Sequence, residues 1–217
     1  MFSGAQGPAA WRMNIQNDDA YRAVVHGYNE FLWEEYCSVA PDRLLGLGMI
    51  PVTGVDDAIA EMEYCVRNGL VGVSLNSFPA GLSHPSPEDD RFWAAAVDMR
   101  CPISVHVEFN HPTVVSASHN GVSARSYGAG LAGPTFLYPK QPEQGFLDIV
   151  QRYAKYGFRG SLHAAQLIWA GVFDRFPDFR IYFAETQIGW IPNFLEQMDQ
   201  HYLRHQVMAE RLLGLKT

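Results

Sequence analysis

The chain has few basic residues, few cysteines and no long apolar run. Sixteen Lys and Arg stand against 23 Asp and Glu, giving a formal net charge of -7. With no local basic cluster either, there is no electrostatic footprint for nucleic acid or an anionic membrane. A small, neutral or metal-held ligand fits this balance better. The three cysteines, Cys37, Cys65 and Cys101, lie in separate segments without a CxxC spacing. Neither a disulfide framework nor a thiolate zinc knuckle is indicated, and free buried thiols in a reducing compartment are expected. No run approaches about 18 apolar residues. Met1 to Trp11 has neither the basic start nor the apolar centre of a signal peptide, so a soluble, cytoplasmic protein is expected. A glycine-rich phosphate loop is also missing: Gly46-Leu47-Gly48 lies inside a strand-like run and lacks the third glycine. No G-x-S-x-G nucleophile elbow and no internal repeat occurs.

What is present is an alternation of strands and helices. A cap at Asn17 or Asp18 leads into Tyr21, Val24, Val25, Tyr28, Phe31, Leu32 and Tyr36, spaced at three and four, which predicts a helix to about Ala40 before Pro41. Arg43 to Ile50 reads as a strand and Val55 to Arg67 as a helix closed by Gly69. Val71 to Asn76 is again a strand, and Ser86-Pro87-Glu88 caps a helix to about Arg100. Pro102 to Phe109 is a buried strand carrying His106. Residues 110–143 read as a long functional loop. Helices follow at about 144–156 and 161–175, then a strand over Arg180 to Glu185 and a last helix from about Ile188 through Tyr202. At 217 residues one domain, 1–217, is the default. Strands separated by helices imply a parallel sheet covered by helices, either a barrel or an open doubly wound sheet.

In such folds the chemistry sits at the C-terminal ends of the strands, which here are Asn76, His106 with Glu108, and Glu185. A histidine in an apolar strand is either a satisfied core residue or a ligand facing the mouth. Its neutral imidazole can bind Zn²⁺, Mn²⁺ or Fe²⁺. Glu185 can ligate, act as a base, or cap the following helix. Glu108 shares the face of His106 and is either an orienting partner or a loop ion-pair partner. His163 either enters the mouth as a catalytic group or is a capping or surface histidine. His84, His111 and His119 lie in loops. His201 and His205, four apart on a helix, read as a solvated face.

At these residues the chain resembles the amidohydrolase-related proteins of the aminocarboxymuconate-semialdehyde decarboxylase-like branch of the metal-dependent amidohydrolase superfamily. The resemblance is carried by Pro41-Asp42-Arg43 leading into Gly46-Leu47-Gly48-Met49-Ile50-Pro51, by Asn68-Gly69-Leu70-Val71-Gly72-Val73, and by the His106 strand. Gly171-Val172-Phe173-Asp174-Arg175-Phe176-Pro177 and Ala184-Glu185 with Gly189-Trp190-Ile191-Pro192 complete it. It implies a (β/α)8 TIM barrel holding a divalent metal, usually zinc, for hydrolysis or non-oxidative decarboxylation of small carboxylated, often aromatic compounds. By the resemblance His106 matches the fifth-strand metal ligand, and Glu185 stands where many decarboxylases have the sixth-strand histidine, as metal ligand or catalytic acid/base. His163 is the second catalytic candidate. Nothing matches the first-strand ligand pair or the final aspartate. Met1-Phe2-Ser3-Gly4 resembles the end of the family's second strand, so an internal fragment is expected. That would be an incomplete barrel lacking the first strand and the last strand or strands, poorly active alone. The alternative is a non-catalytic α/β binding or assembly module. In either case the last helix could pack a homodimer.

Overall fold

The computed structural model describes residues 11–12, 15–106 and 159–213, with side chains as far as Val207. The sequence readings for Met1 to Gly4, for Val107 to Phe109 with Glu108, for the 110–143 loop with His111 and His119, and for the 144–156 helix lie outside these residues.

Helix α1 spans Asp18–Phe31. Asn17 caps it, its side-chain oxygen accepting from Ala20 N at 2.9 Å, and Asp18 and Asp19 place negative charge at the positive end of the helix dipole. The predicted continuation to Ala40 gives way to a π turn over Leu32–Tyr36 and a 3-10 turn over Cys37–Val39. Apolar spacing alone cannot separate such a wide turn from one more α turn, because Leu32 remains buried in both.

Four short strands follow: β1 (Leu47–Met49), β2 (Gly72–Ser74), β3 (Ile103–His106) and β4 (Ile181–Ala184). They form one parallel sheet in chain order, β1-β2-β3-β4. β1 is shorter than predicted because Arg43 N and Leu44 N both donate to Ala40 O in a turn and Leu45 is exposed. Between the strands run α2 (Val55–Arg67) and α3 (Asp90–Asp98), the latter preceded by a 3-10 turn, Pro87–Asp89, within the predicted helix. After β3 come α4 (Arg159–Trp169) and α5 (Val172–Arg175), then, beyond β4, α6 (Ile191–Leu213). The single helix predicted for 161–175 is split at Gly171, whose φ of +66° is a left-handed conformation open to glycine. Arg175 then ties α5 to α3 through a bidentate pair with Asp90, 2.8 and 2.9 Å. α6 starts three residues later than predicted, since residues 188–190 form a turn closed by Ile191 N donating to Ile188 O.

Side chains alternate across the strands and sort the faces. Val73, Leu75, Ile103 and Val105 join Ala58, Met62, Cys65, Phe92, Trp93 and Ala96 of α2 and α3 in the main apolar core. The contact is close: a Cβ on Gly48 would lie 2.3 Å from Cys65 Sγ, so only glycine lets α2 approach β1. The opposite face of β2 and β3 carries Ser74, Asn76, Ser104 and His106. Cys37, Cys65 and Cys101 are free, as expected, and burial pushes all three thiols up from their ordinary value. Among the described residues no helix is long and apolar enough to cross a membrane.

Candidate active site

The polar face of the sheet ends at its C-terminal edge in a row of chemically able side chains. His106 is the last residue of β3 and is paired in register with Ala184 of β4. The next residue, Glu185, turns back toward it, and His106 Nε2 lies 3.3 Å from Glu185 Oε1. The histidine side chain is 19 % exposed and the carboxylate 58 %, so the pair opens to solvent through the glutamate.

Glu185 reaches this position through an unusual backbone. Its φ is +61°, as is that of Gln187, a left-handed conformation that costs a non-glycine residue roughly 1–2 kcal/mol. The turn is held from several sides. Thr186, buried, donates its hydroxyl to Phe183 O at 3.0 Å, and the Trp190 indole donates to Thr186 O at 2.9 Å. Gly160 of α4 backs directly onto it, since a Cβ there would sit 3.1 Å from Phe183 Cβ and 3.2 Å from Thr186 Cγ2. The capping alternative for Glu185 gives way here, because α6 begins at Ile191, beyond this turn.

On the other side of His106 stands Asn76. The β2–β3 register of Val73 with Ile103 and Ser74 with Ser104 continues, as Leu75 N donates to Ser104 O at 2.8 Å. Asn76 therefore falls opposite His106. The loop that follows β2 is fixed by Asp89, fully buried, which accepts from Ala80 N and Ser86 N at 2.7 Å each.

His163 is neither a cap nor a surface residue: it lies within α4 and is 1 % exposed. Its ring stands edge-on to Phe78, just beyond the end of β2, with centroids 6.3 Å apart. Gln166 Nε2 donates to Ser83 O at 2.9 Å, which turns Gln166 Oε1 toward His163 Nδ1 at 3.0 Å. An amide oxygen only accepts, so Nδ1–H is the donor in this contact and Nε2 points away from Gln166. His84 is exposed in its loop. His201 and His205 are exposed on α6, their rings stacked 6.1 Å apart.

One polar cluster escaped the sequence reading. Asn29 is fully buried on α1 and joins Glu61 Oε1 of α2 at 2.7 Å, while Glu61 Oε2 meets His26 Nδ1 at 3.0 Å. Its signal was there: a polar residue on the apolar stripe of Tyr21, Val25 and Leu32.

His106 and Glu185 present an imidazole nitrogen and a carboxylate oxygen to one point, a donor set that suits Zn²⁺ or Mn²⁺. Among the described residues no third His, Cys, Asp or Glu joins them to form a larger cluster.

Comparison with known proteins agrees with this architecture. The chain is 26% identical over 183 residues to gamma-resorcylate decarboxylase of Rhodococcus jostii (strain RHA1), covering 79% of this chain and 47% of that protein. It is 28% identical over 159 residues to decarboxylase orsB of Emericella nidulans, covering 70% and 41%. The chain thus spans about half the length of the curated relatives it matches. In fold it resembles 5-carboxyvanillate decarboxylase from Novosphingobium aromaticivorans, solved with manganese and 4-hydroxy-3-methoxy-5-nitrobenzoic acid. That TM-score is 0.64 at 21% identity, over 100% of this chain and 52% of the other. Metarhizium anisopliae IDCase, solved in apo form, gives a TM-score of 0.65 at 15% identity, over 93% and 48%. The amidohydrolase family model matches residues 7–215, nearly the whole chain, and the protein belongs to the amidohydrolase family, with decarboxylases among its relatives.

Proposed function

We propose that the protein is the catalytic-barrel portion of a metal-dependent amidohydrolase that removes the carboxyl group of a small aromatic carboxylate, with hydrolysis of a carboxylated compound as the neighbouring chemistry of the same centre. The observation that carries this is the His106–Glu185 pair, 3.3 Å apart at the C-terminal ends of adjacent parallel strands. The decarboxylases among the relatives support the same direction.

In this reading His106 and Glu185 would hold a divalent ion, zinc or manganese. Bound there, a divalent ion supplies positive charge that polarises an oxygen of the substrate. The chain's own residues then position the substrate and move a proton. Where His106 takes the ion without it, the exposed Glu185 carboxyl group is placed instead to deliver the proton that replaces carbon dioxide on the ring carbon, so that carboxylate and proton become ring C–H and CO2. Buried His163, with Nδ1 tied to Gln166, offers Nε2 as a second acid/base nitrogen.

The test is metal titration of the purified 217-residue chain followed by CO2 release from hydroxybenzoates with and without Mn²⁺ or Zn²⁺. About one bound ion per chain and metal-dependent release support the proposal. A chain that takes up no metal and releases no CO2 points instead to a non-catalytic binding or assembly module on the same scaffold.

A further inference from the structure

At the N-terminal end of the sheet, opposite the edge that carries His106, lies a cavity of about 210 Å³ between the turns after α1, the entry to β1 and the loop from α2 to β2. The metal-site reading gives it no work. One wall is Trp33, which sits in the π turn Leu32–Tyr36, and such wide turns are rare and recur mostly at functional sites. Leu44, Leu45 and Val71 supply the rest of the apolar wall. Leu45 and Val71 are exposed, so the cavity has an apolar rim open to solvent. Its polar groups are fixed in place. The Trp33 indole donates to the Tyr64 hydroxyl at 3.0 Å, and Asn68 Nδ2 donates to Tyr64 O at 2.9 Å. That carbonyl can only accept, so the amide is oriented and Asn68 Oδ1 is left as an acceptor. Cys37 stands beside them as a half-buried thiol. Among the described residues none of those lining the cavity is charged.

We propose that this cavity is a second ligand site, remote from the reaction centre, and that it takes a small uncharged aromatic ring bearing a hydroxyl group, a phenol. Size, charge and polarity each set one part of that class. A cavity of about 150 Å³ already holds benzene, so this one has room for a single substituted ring. A carboxylate would lose hydration here with no cation to compensate it, whereas a neutral ring gains the apolar wall. The indole of Trp33 gives that ring a flat aromatic surface to pack on. Asn68 Oδ1 accepts from the hydroxyl, a bond that an alkylbenzene cannot offer. The site uses neither His106 nor Glu185, so its test runs without metal.

Cys37 reports occupancy locally, because Cys65 and Cys101 are buried and Cys37 alone is partly exposed. The probes are phenol, toluene and benzoate, added to the full metal-free chain during alkylation by iodoacetamide at about pH 8.5, with Cys37 followed by peptide mass spectrometry. Phenol suppresses the alkylation saturably, toluene does so only at higher concentration, and benzoate does not. Asn68→Leu raises the phenol concentration for half-suppression about five-fold, the worth of one neutral hydrogen bond, and leaves that of toluene level. Ser38→Trp, at an exposed position of the lining, fills the cavity and removes the phenol effect. The comparison of the three probes on the wild-type chain decides the matter without either variant. No alkylation of Cys37 in the free chain means that the cavity is closed, and overturns the inference. Alkylation indifferent to phenol, or suppressed as well by benzoate, overturns it too, as does a phenol effect that survives Ser38→Trp. A phenol response unchanged in Asn68→Leu, or lost together with that of toluene, overturns the hydroxyl contact.

Discussion

Asn29 satisfies both backbone groups of Met49 with one side chain. Its Nδ2 donates to Met49 O at 2.8 Å, and Met49 N donates to its Oδ1 at 2.7 Å. On the side of β2 the chain bonds through the residues flanking β1, with Gly46 O accepting from Val71 N and Ile50 N donating to Ser74 O. Among the described residues the Asn29 amide therefore bonds β1 on the side away from β2, as a neighbouring strand would.

The first prediction concerns that contact. Asn29→Leu removes both hydrogen bonds to the Met49 backbone and a partner of Glu61, for an expected loss of about 2–4 kcal/mol. Urea denaturation measures it, and a change below about 0.5 kcal/mol shows that the amide is dispensable.

Glu185 is predicted to trade stability for chemistry. Glu185→Gly relieves the left-handed backbone at φ +61° and raises the unfolding free energy of the metal-free chain by about 1 kcal/mol. It also removes the carboxylate facing His106, so Mn²⁺ or Zn²⁺ affinity falls at least about ten-fold. Melting curves without metal and a separate metal titration read the two effects independently. A metal-free variant less stable than wild type contradicts the strain argument.

For His163 the expected outcome is a split between affinity and rate. His163→Gln, which keeps a polar group beside Gln166, leaves metal affinity unchanged and lowers metal-dependent CO2 release on the order of a hundred-fold. Release equal to wild type assigns His163 to packing against Phe78 alone.

Alkaline pH should unfold the protein through groups buried in protonated form. Burial raises Tyr21 from 10.0 to about 12, opposed by the Val52 N–H and by the nearby Arg12, and raises Cys101 from 9.0 to about 12. Cys65 is pushed up as well, by burial first and then by Glu61. Each folded-state value lies above the unfolded one, so the stabilisation is complete below about pH 9 and is lost as the unfolded chain ionises while the folded chain holds its protons. Tyr21, fully buried, accounts for about 2–3 kcal/mol between pH 10 and 12. Urea midpoints should be level from pH 7 to 9 and fall above it, and Tyr21→Phe should flatten the upper part of that fall. A midpoint that holds steady to pH 11 counts against this account.

Much of the architecture is written locally. The three-and-four spacing of Tyr21, Val25 and Leu32, the Ser86-Pro87-Glu88 cap and the β-branched run at Ile103 to Val105 dictate helix or strand locally. They also fix the order of elements and the parallel class, and they place His106 at a strand end. Boundaries were less legible. The π turn after Phe31, the break at Gly171 and the late start of α6 at Ile191 depend on which backbone groups find partners across the fold.

The site divides in the same way. Sequence supplied the candidates His106, Glu185 and His163, because imidazoles and carboxylates at strand ends stand out against apolar surroundings. Only the tertiary structure could put His106 and Glu185 3.3 Å apart, since that distance follows from β3 pairing directly with β4 and from a strained turn held by Thr186, Trp190 and Gly160. It also decided that His163 is buried behind Phe78, and that Asn29 bonds the backbone of Met49. A side chain's type is a property of the sequence, whereas its partner is set by which strands pair and in what register.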